Sequence, residues 1–244
     1  MNLLMTGHLL GDFYFQPDCI ADKKKRSLGY TALHCLIYGI VMFIVLSAAT
    51  GRLNRYICPV LVIGVLHLVV DGLKSIICKV CKLEKWELTV FLVDQLIHVI
   101  ILFVISYIWK IEPNIDWIPG ISGDIAGGMT NALIIVNALL ICGKPAAVLV
   151  SLVFNMIPQK EGNTTEVDEV QEAKIGSWIG ILEREIMLLL GLFGEYGAIG
   201  FVIAAKSLAR HKQFDDAAFA ERYLVGTLLS SLIALLSAII CSLR

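Results

Sequence analysis

Long apolar runs separated by short polar segments make up most of the chain. Seven runs approach the length of about 20 residues that crosses a bilayer, at about residues 30–50, 57–78, 88–109, 131–157, 175–193, 195–210 and 221–243. The apolar stretch from Met1 to Gln16 is shorter and lacks the basic start and cleavage site of a signal peptide, so we interpret it as a short mature helix. The pattern predicts an all-α, polytopic transmembrane helical bundle of about seven to eight membrane helices.

Interruptions in this pattern predict four segments. An N-terminal four-helix membrane module covers residues 1–110, and a C-terminal helical membrane module covers residues 175–244. Between them, residues 129–157 form a helix that residues 143–145 (Gly-Lys-Pro) kink or break, because proline removes a helical hydrogen bond. Residues 158–174 form a polar linker.

Composition supports a membrane protein. Hydrophobic residues make up 57% of the chain and charged residues 17%, whereas soluble domains carry about 25% charged residues. Mean hydropathy is +0.79, so membrane lipids are the expected surroundings. The net charge of -1 leaves no basic field for nucleic acid, and that class of partner is excluded.

Basic residues in the short loops predict the orientation, because cytoplasmic loops are enriched in Lys and Arg. Two loops are basic and are predicted to be cytoplasmic; they contain Lys23, Lys24, Lys25 and Arg26, and Lys79, Lys82 and Lys85. The mainly acidic segment 110–128 is predicted to lie outside.

Ionisable residues recur inside the apolar runs of the N-terminal module, although each costs about 2.5 to 3.5 kcal/mol at the bilayer centre. Three pairs are spaced four residues apart and therefore share one helix face: His8 with Asp12, His67 with Asp71, and Asp94 with His98. The order is reversed in the third pair, where the helix runs the opposite way. All three aspartates are thus predicted on the cytoplasmic side of the histidines, with His34 at the cytoplasmic rim.

Imidazole and carboxylate groups together are the ligands of catalytic zinc and also suit manganese or iron. The pattern predicts a divalent transition metal, zinc foremost, held by some of His8, Asp12, His67, Asp71, Asp94 and His98. The predicted catalytic residues are Asp94, Asp12, Lys74 and His34. A carboxylate among them would act as general base on metal-bound water, and Lys74 could hold a phosphate headgroup. The simpler interpretation is that these residues hydrogen-bond between helices.

The C-terminal module carries charges of its own. Glu183, Arg184 and Glu185 lie in the fifth run, and charges of both signs flank the last two runs: Lys206, Arg210, Glu221 and Arg222. We expect structural ion pairs between helices. Glu183 and Arg184 are the best candidates in this module for a functional role.

Several strings resemble a known family. HLLGDFYFQ, HLVVDGLK and DQLIH, which contain the three pairs, resemble the signature of a bacterial membrane family catalogued as domain of unknown function number 3307. GSWIGILERE, AIGFVIAAKSLAR and AERYLVGTLLS resemble the C-terminal portion of its longer members. The resemblance implies a multi-pass protein of the bacterial cytoplasmic (inner) membrane and implies no activity. The HxxxD helices are also similar to those of inner-membrane proteins described as metal-dependent hydrolases, which is likeness at the level of a motif.

Three classes of function fit these observations. The leading hypothesis is a metal-dependent hydrolase that acts on a lipid or lipid-linked substrate at the cytoplasmic leaflet. A transporter or a proton or cation pathway is the alternative, since intramembrane His and Asp residues mark such routes and transporters use broken helices at their binding sites. A non-catalytic membrane sensor or scaffold would use the same residues only for packing.

Overall fold

The computed structural model describes residues 1–24, 27–51, 53–81, 86–111, 123–157 and 166–243, and these residues form helices with no strand among them. Of the residues used above to predict topology, Lys25, Arg26, Lys82, Lys85 and linker residues 158–165 lie outside the described residues. The chain divides into two compact units, Met1–Asn137 and Ala138–Arg244.

The first unit is built from five helices and a π-helical turn, together with most of a sixth helix. They are α1 (Asn2–Leu9), the π-helical turn (Leu10–Tyr14), α2 (Asp18–Lys24), α3 (Leu28–Thr50), α4 (Leu53–Cys81), α5 (Glu87–Ile108) and α6 (Gly123–Cys142). Its apolar core includes Leu4, Met42 and Leu102, which are almost fully buried.

The second unit begins inside α6 and continues through four further helices. They are α7 (Lys144–Asn155), α8 (Glu166–Leu192), α9 (Tyr196–Ala209) and α10 (Ala217–Ser242), with a short 3-10 turn at His211–Gln213. The predicted interruption of residues 129–157 is observed as a break at Gly143 between α6 and α7. Residues 166–174 of the predicted linker form the first turns of α8.

Among the described residues, five helical segments are long and apolar enough to cross a membrane: Leu28–Ala49, Asn54–Cys81, Glu87–Ile108, Gly128–Asn155 and Ala217–Ser242. They coincide with five of the predicted runs, so the chain is a helical membrane protein. The other two runs correspond to α8, which carries three consecutive charges, and to α9, which has only 14 residues. The total of seven to eight membrane helices stays a prediction.

Two glycines allow α1 and the following turn to approach α3 closely. A Cβ atom on Gly7 would lie 2.6 Å from Met42 Sδ, and one on Gly11 would lie 2.9 Å from Tyr38 Cδ2 and 3.3 Å from Tyr38 Cα. Gly7 and Gly11 are four residues apart, as in the small-residue motifs that pack membrane helices together. Because glycine has no side chain, the segment that carries His8 and Asp12 can pack directly against α3.

Candidate metal centre

Seven ionisable side chains from four segments of the first unit converge in its interior. We call this set the His/Asp cluster; it consists of His8, Asp12, His34, His67, Asp71, Asp94 and His98, and every member is buried. α1 and the π-helical turn supply the first two residues, α3 the third, α4 the next two and α5 the last two. Burial of so many polar groups requires partners for each of them.

Asp12 lies in the π-helical turn that continues α1. The amide of Phe15 donates to the carbonyl of Leu10 at 2.8 Å, a bond over five residues instead of four. Single π-helical turns of this kind are frequent at functional sites, because the extra residue displaces a side chain from the regular helical face. The turn lets His8 and Asp12 contact different partners although they share one segment.

The centre of the His/Asp cluster is a set of three possible ligand atoms. His34 Nε2 lies 3.1 Å from Asp12 Oδ1 and 3.2 Å from His67 Nε2, and His67 Nε2 lies 4.0 Å from Asp12 Oδ1. Ligand atoms of a tetrahedral zinc ion, at about 2.0 to 2.2 Å from the metal, lie about 3.3 to 3.6 Å apart. The three atoms therefore lie close to the spacing that a single metal ion requires.

Asp71 adds a fourth oxygen to this set. Its Oδ2 lies 3.7 Å from His34 Nε2 and 3.9 Å from His67 Nε2. The same oxygen is 3.3 Å from Lys24 Nζ. Two histidines and two aspartates thus present a nitrogen- and oxygen-rich site of the kind that zinc, manganese and iron occupy.

A directional chain of hydrogen bonds leads to Asp12 from the opposite side. Gln95 Nε2 donates to Asp12 Oδ2 at 3.0 Å, so its Oε1 is the acceptor that faces His8 Nε2 at 3.3 Å. His8 Nε2 must then carry the proton, and His8 Nδ1 accepts from the Tyr38 hydroxyl at 3.3 Å. Both nitrogens of His8 are occupied, so this predicted ligand acts here as a support for Asp12.

A second group of possible ligands lies beside the first. One ligand atom each from Asp71, Asp94 and His98 lies within 4.8 Å of the others. His98 Nδ1 is 2.8 Å from the carbonyl oxygen of Asp94, which can only accept, so the lone pair of neutral His98 is on Nε2. Among the described residues, His98 Nε2 and Asp94 Oδ1 have no hydrogen-bond partner.

Lys74 neutralises part of the charge of this second group. Its Nζ lies 2.7 Å from Asp94 Oδ2 and 3.9 Å from Asp71 Oδ1. Lys24 and Lys74 thus contact the two different oxygens of Asp71. Their side chains are 17% and 30% exposed, whereas the three aspartate side chains are at most 7% exposed.

A comparison with protein families gives a match for the first half of the chain. Residues 1–118 match a family described as "Protein of unknown function (DUF3307)". The match covers slightly less than half of the chain's 244 residues. No curated protein and no solved structure matches the chain.

The DUF3307 region contains the whole His/Asp cluster as well as Lys24, Lys74 and Gln95. The match ends before the first residue of α6. The resemblance inferred from the sequence strings of the first half is therefore confirmed for the family. The proposed likeness of the second half to longer members stays a prediction.

Within the DUF3307 region, the structure brings all the predicted site residues together but corrects the place of His34. We expected His34 at the rim of the cluster, whereas it is fully buried between Asp12 and His67. The reason is α2, which packs against α3 and places Lys24 over this end of the site. Lys24, counted in the sequence only as a loop charge, occupies the outer position.

Two further residues of the site, Tyr38 and Cys35, are not predicted from the sequence because their sequence signals are weak. Tyr38 is four residues after His34 and stacks on the His67 ring with centroids 3.9 Å apart, but a tyrosine in an apolar run is usually core. Cys35 forms a third possible ligand group with His67 and Asp71, although a thiol in such a run behaves as a small hydrophobe.

The charged residues of the second unit form separate interactions. Lys206 Nζ on α9 lies 2.5 Å from Glu183 Oε2 on α8. Arg184 is buried and donates from Nε to the carbonyl of Cys142 at 2.7 Å and from one terminal nitrogen to the carbonyl of Gly143 at 3.4 Å. The Arg184 contacts satisfy backbone carbonyls at the break between α6 and α7, and Glu183 forms an ion pair with Lys206, so both residues have structural partners.

Proposed function

We propose that the chain is a membrane-embedded, metal-dependent hydrolase that acts on a lipid or lipid-linked substrate at the cytoplasmic leaflet. The observation that carries this proposal is the convergence of His34 Nε2, His67 Nε2 and Asp12 Oδ1 within 3.1 to 4.0 Å of one another. Zinc is the first choice of ion, because two imidazoles with carboxylates form its usual catalytic ligand set.

A bound divalent metal would supply an activated water molecule and would stabilise negative charge on the substrate. Asp94 is suited to accept the proton of that water, since its Oδ1 is free of hydrogen-bond partners among the described residues while Lys74 holds its Oδ2. Asp94 would hold the proton released when the water adds to the electrophilic atom of an ester, and would return it to the leaving oxygen as the bond to that oxygen breaks.

Two observations favour hydrolysis over transport. Lys24 and Lys74, the more exposed charges, contact the aspartates, whereas the rings of His8, His67 and His98 pack on one another. This arrangement suits a site that opens to one side. The helix break at Gly143, which suggested a transporter, is explained by the bonds from Arg184 to the carbonyls on either side of it.

The proposal is tested by metal content and hydrolysis together. Full-length protein purified in detergent should contain at least one transition-metal ion per chain, the minimum for one ligand set. It should hydrolyse fluorogenic lipid esters and lipid phosphates in mixed micelles. His67→Ala should lose the metal and the activity, because it removes a central ligand atom.

Asp94→Asn should keep the metal and lower turnover by about 100-fold or more, the usual contribution of a general base. Glu183→Gln, which alters an ion pair of the second unit, is the matched control and should change neither readout. Wild-type protein without bound metal, or Asp94→Asn with full activity, would contradict the proposal.

A further inference from the structure

Two lysines flank one aspartate at the more exposed end of the His/Asp cluster. Lys24 Nζ lies 3.3 Å from Asp71 Oδ2, and Lys74 Nζ lies 3.9 Å from Asp71 Oδ1. These lysines come from α2 and α4, so two separate elements place an ammonium group beside the same carboxylate. A molecule that enters the site from this end meets the ammonium groups before it meets the buried histidines.

With a divalent metal bound, the charged groups of this site leave one excess positive charge. With the histidines neutral, as metal ligation requires, Asp12, Asp71 and Asp94 contribute three negative charges and Lys24 and Lys74 two positive charges. One negative charge remains, and a divalent metal ion converts it to one positive charge. In a low-dielectric site this excess favours an anionic substrate over a neutral ester.

The two ammonium groups retain hydrogen-bonding capacity for such an anion. Each ammonium has three donors. Lys74 makes one short contact, to Asp94 at 2.7 Å, and Lys24 donates to the Gln16 side-chain oxygen at 3.1 Å and to Asp71 at 3.3 Å. Lysine binds phosphate as a compact point charge, so a phosphate group can accept from both residues.

One exposed aromatic residue indicates that this end of the site lies near the level of lipid headgroups. Trp86, which directly precedes α5, is 61% exposed, and tryptophan is enriched at the membrane–water interface. A phosphate at this depth belongs to a lipid headgroup or to a soluble phosphate compound that reaches the membrane surface.

We propose that Lys24 and Lys74 form a phosphate subsite, and that the substrate of the hydrolase carries a phosphate group. This inference rests on the proposed function, because the positive excess that attracts the anion comes from the bound metal. Lys24 and Lys74 orient the phosphate toward the metal ligands. Phosphate binding therefore requires both the lysines and the metal.

The test measures binding to metal-loaded, full-length protein in maltoside micelles that contain no other phosphate. The probes are phosphatidic acid, diacylglycerol as the phosphate-free counterpart, and inorganic phosphate. Phosphatidic acid should bind at least about tenfold more tightly than diacylglycerol, because charged hydrogen bonds are lost without the phosphate. Lys24→Gln and Lys74→Met should each weaken phosphatidic acid binding about tenfold, whereas Lys79→Gln, an exposed lysine on the same helix α4, should not.

Metal content separates this inference from the proposed function. If wild-type protein holds metal but both lysine variants bind phosphatidic acid as wild type does, the subsite is wrong and the hydrolase proposal stands. If wild-type protein holds no metal, both are wrong. Inorganic phosphate that competes as strongly as phosphatidic acid supports the subsite with a soluble phosphate compound as its ligand, and failure to compete supports it with a lipid headgroup.

Discussion

At the scale of single residues, Asp12 is the side chain whose geometry is most tightly determined. Gln95 donates to its Oδ2, and the position of Gln95 is fixed in turn by His8 and Tyr38. Only Oδ1 remains directed at His34 and His67. Supporting hydrogen bonds of this kind orient metal ligands and tune their affinity.

Gln95→Leu should therefore weaken metal binding by about 10- to 100-fold, the range seen when supports of metal ligands are removed. Leucine has a volume similar to that of glutamine but cannot donate a hydrogen bond to Asp12, so the Asp12 carboxylate is free to rotate. Competition with a chelator of known affinity measures the change. Gln213→Leu, in the short turn of the second unit, is the control; equal metal affinity of the Gln95 variant and wild type would show that Asp12 needs no support.

The site residues with helical spacing could be predicted from the sequence, whereas Lys24 could not. His67 with Asp71 and Asp94 with His98 share helix faces because they are four residues apart. Lys24 meets Asp71 across 47 positions of sequence, which no local pattern encodes. The division of roles between His8 and His34 depends on which nitrogen atoms are already occupied, and that follows only from the packing of α1, α3 and α5.

At the scale of elements, the approach of α1 to α3 determines whether the site forms. Gly7 and Gly11 permit this approach, and the His8 and Asp12 side chains reach Tyr38 and His34 because of it. The sequence contains the pair of small residues four apart, but their partner helix is a property of the tertiary fold.

Gly11→Ala should lower both stability and metal binding. Its Cβ would lie 3.3 Å from the Tyr38 Cα and 2.9 Å from the ring, and overpacking of this type costs about 1 to 3 kcal/mol. Thermal unfolding in detergent and elemental analysis provide the two readouts. Gly39→Ala in α3, with nothing within 4 Å of the added atom, is the matched control; if both variants lose stability equally, close packing of α1 is not the cause.

Long, uninterrupted apolar runs predict the membrane helices better than short or interrupted ones. Runs 30–50, 57–78 and 88–109 correspond to α3, α4 and α5 because each is long, apolar and bounded by polar residues. The runs at α8 and α9 do not have this pattern, because charges interrupt the first and the second is short. Length and hydropathy alone do not determine how such elements lie in a bilayer.

At the scale of the whole molecule, a metal ion would link distant parts of the first unit. Asp12, His34 and His67 lie on the π-helical turn, α3 and α4 respectively, so one ion would join three elements. Binding to the folded state alone stabilises it by about 2.7 kcal/mol at a ligand concentration of 100 times the Kd.

Metal removal should therefore loosen the first unit selectively. Hydrogen–deuterium exchange followed by peptide mass spectrometry should show faster exchange after chelation in peptides from residues 1–111, with little change in residues 166–243. Glu183→Gln should have the reverse pattern, because its ion pair with Lys206 belongs to the second unit. Uniform acceleration across the chain after chelation would mean that the metal stabilises no particular unit.

Arg184 and its hydrogen-bond acceptors are synthesised at different times, and this determines when their contacts can form. The guanidinium group stays charged at any physiological pH, so α8 carries a permanent charge at Arg184 from the moment of its synthesis. Its carbonyl acceptors at Cys142 and Gly143 are synthesised about 40 residues earlier, whereas Ser230, another partner, comes later. The two carbonyl acceptors are therefore available before their donor is made, and Arg184 can form these hydrogen bonds as soon as α8 is synthesised.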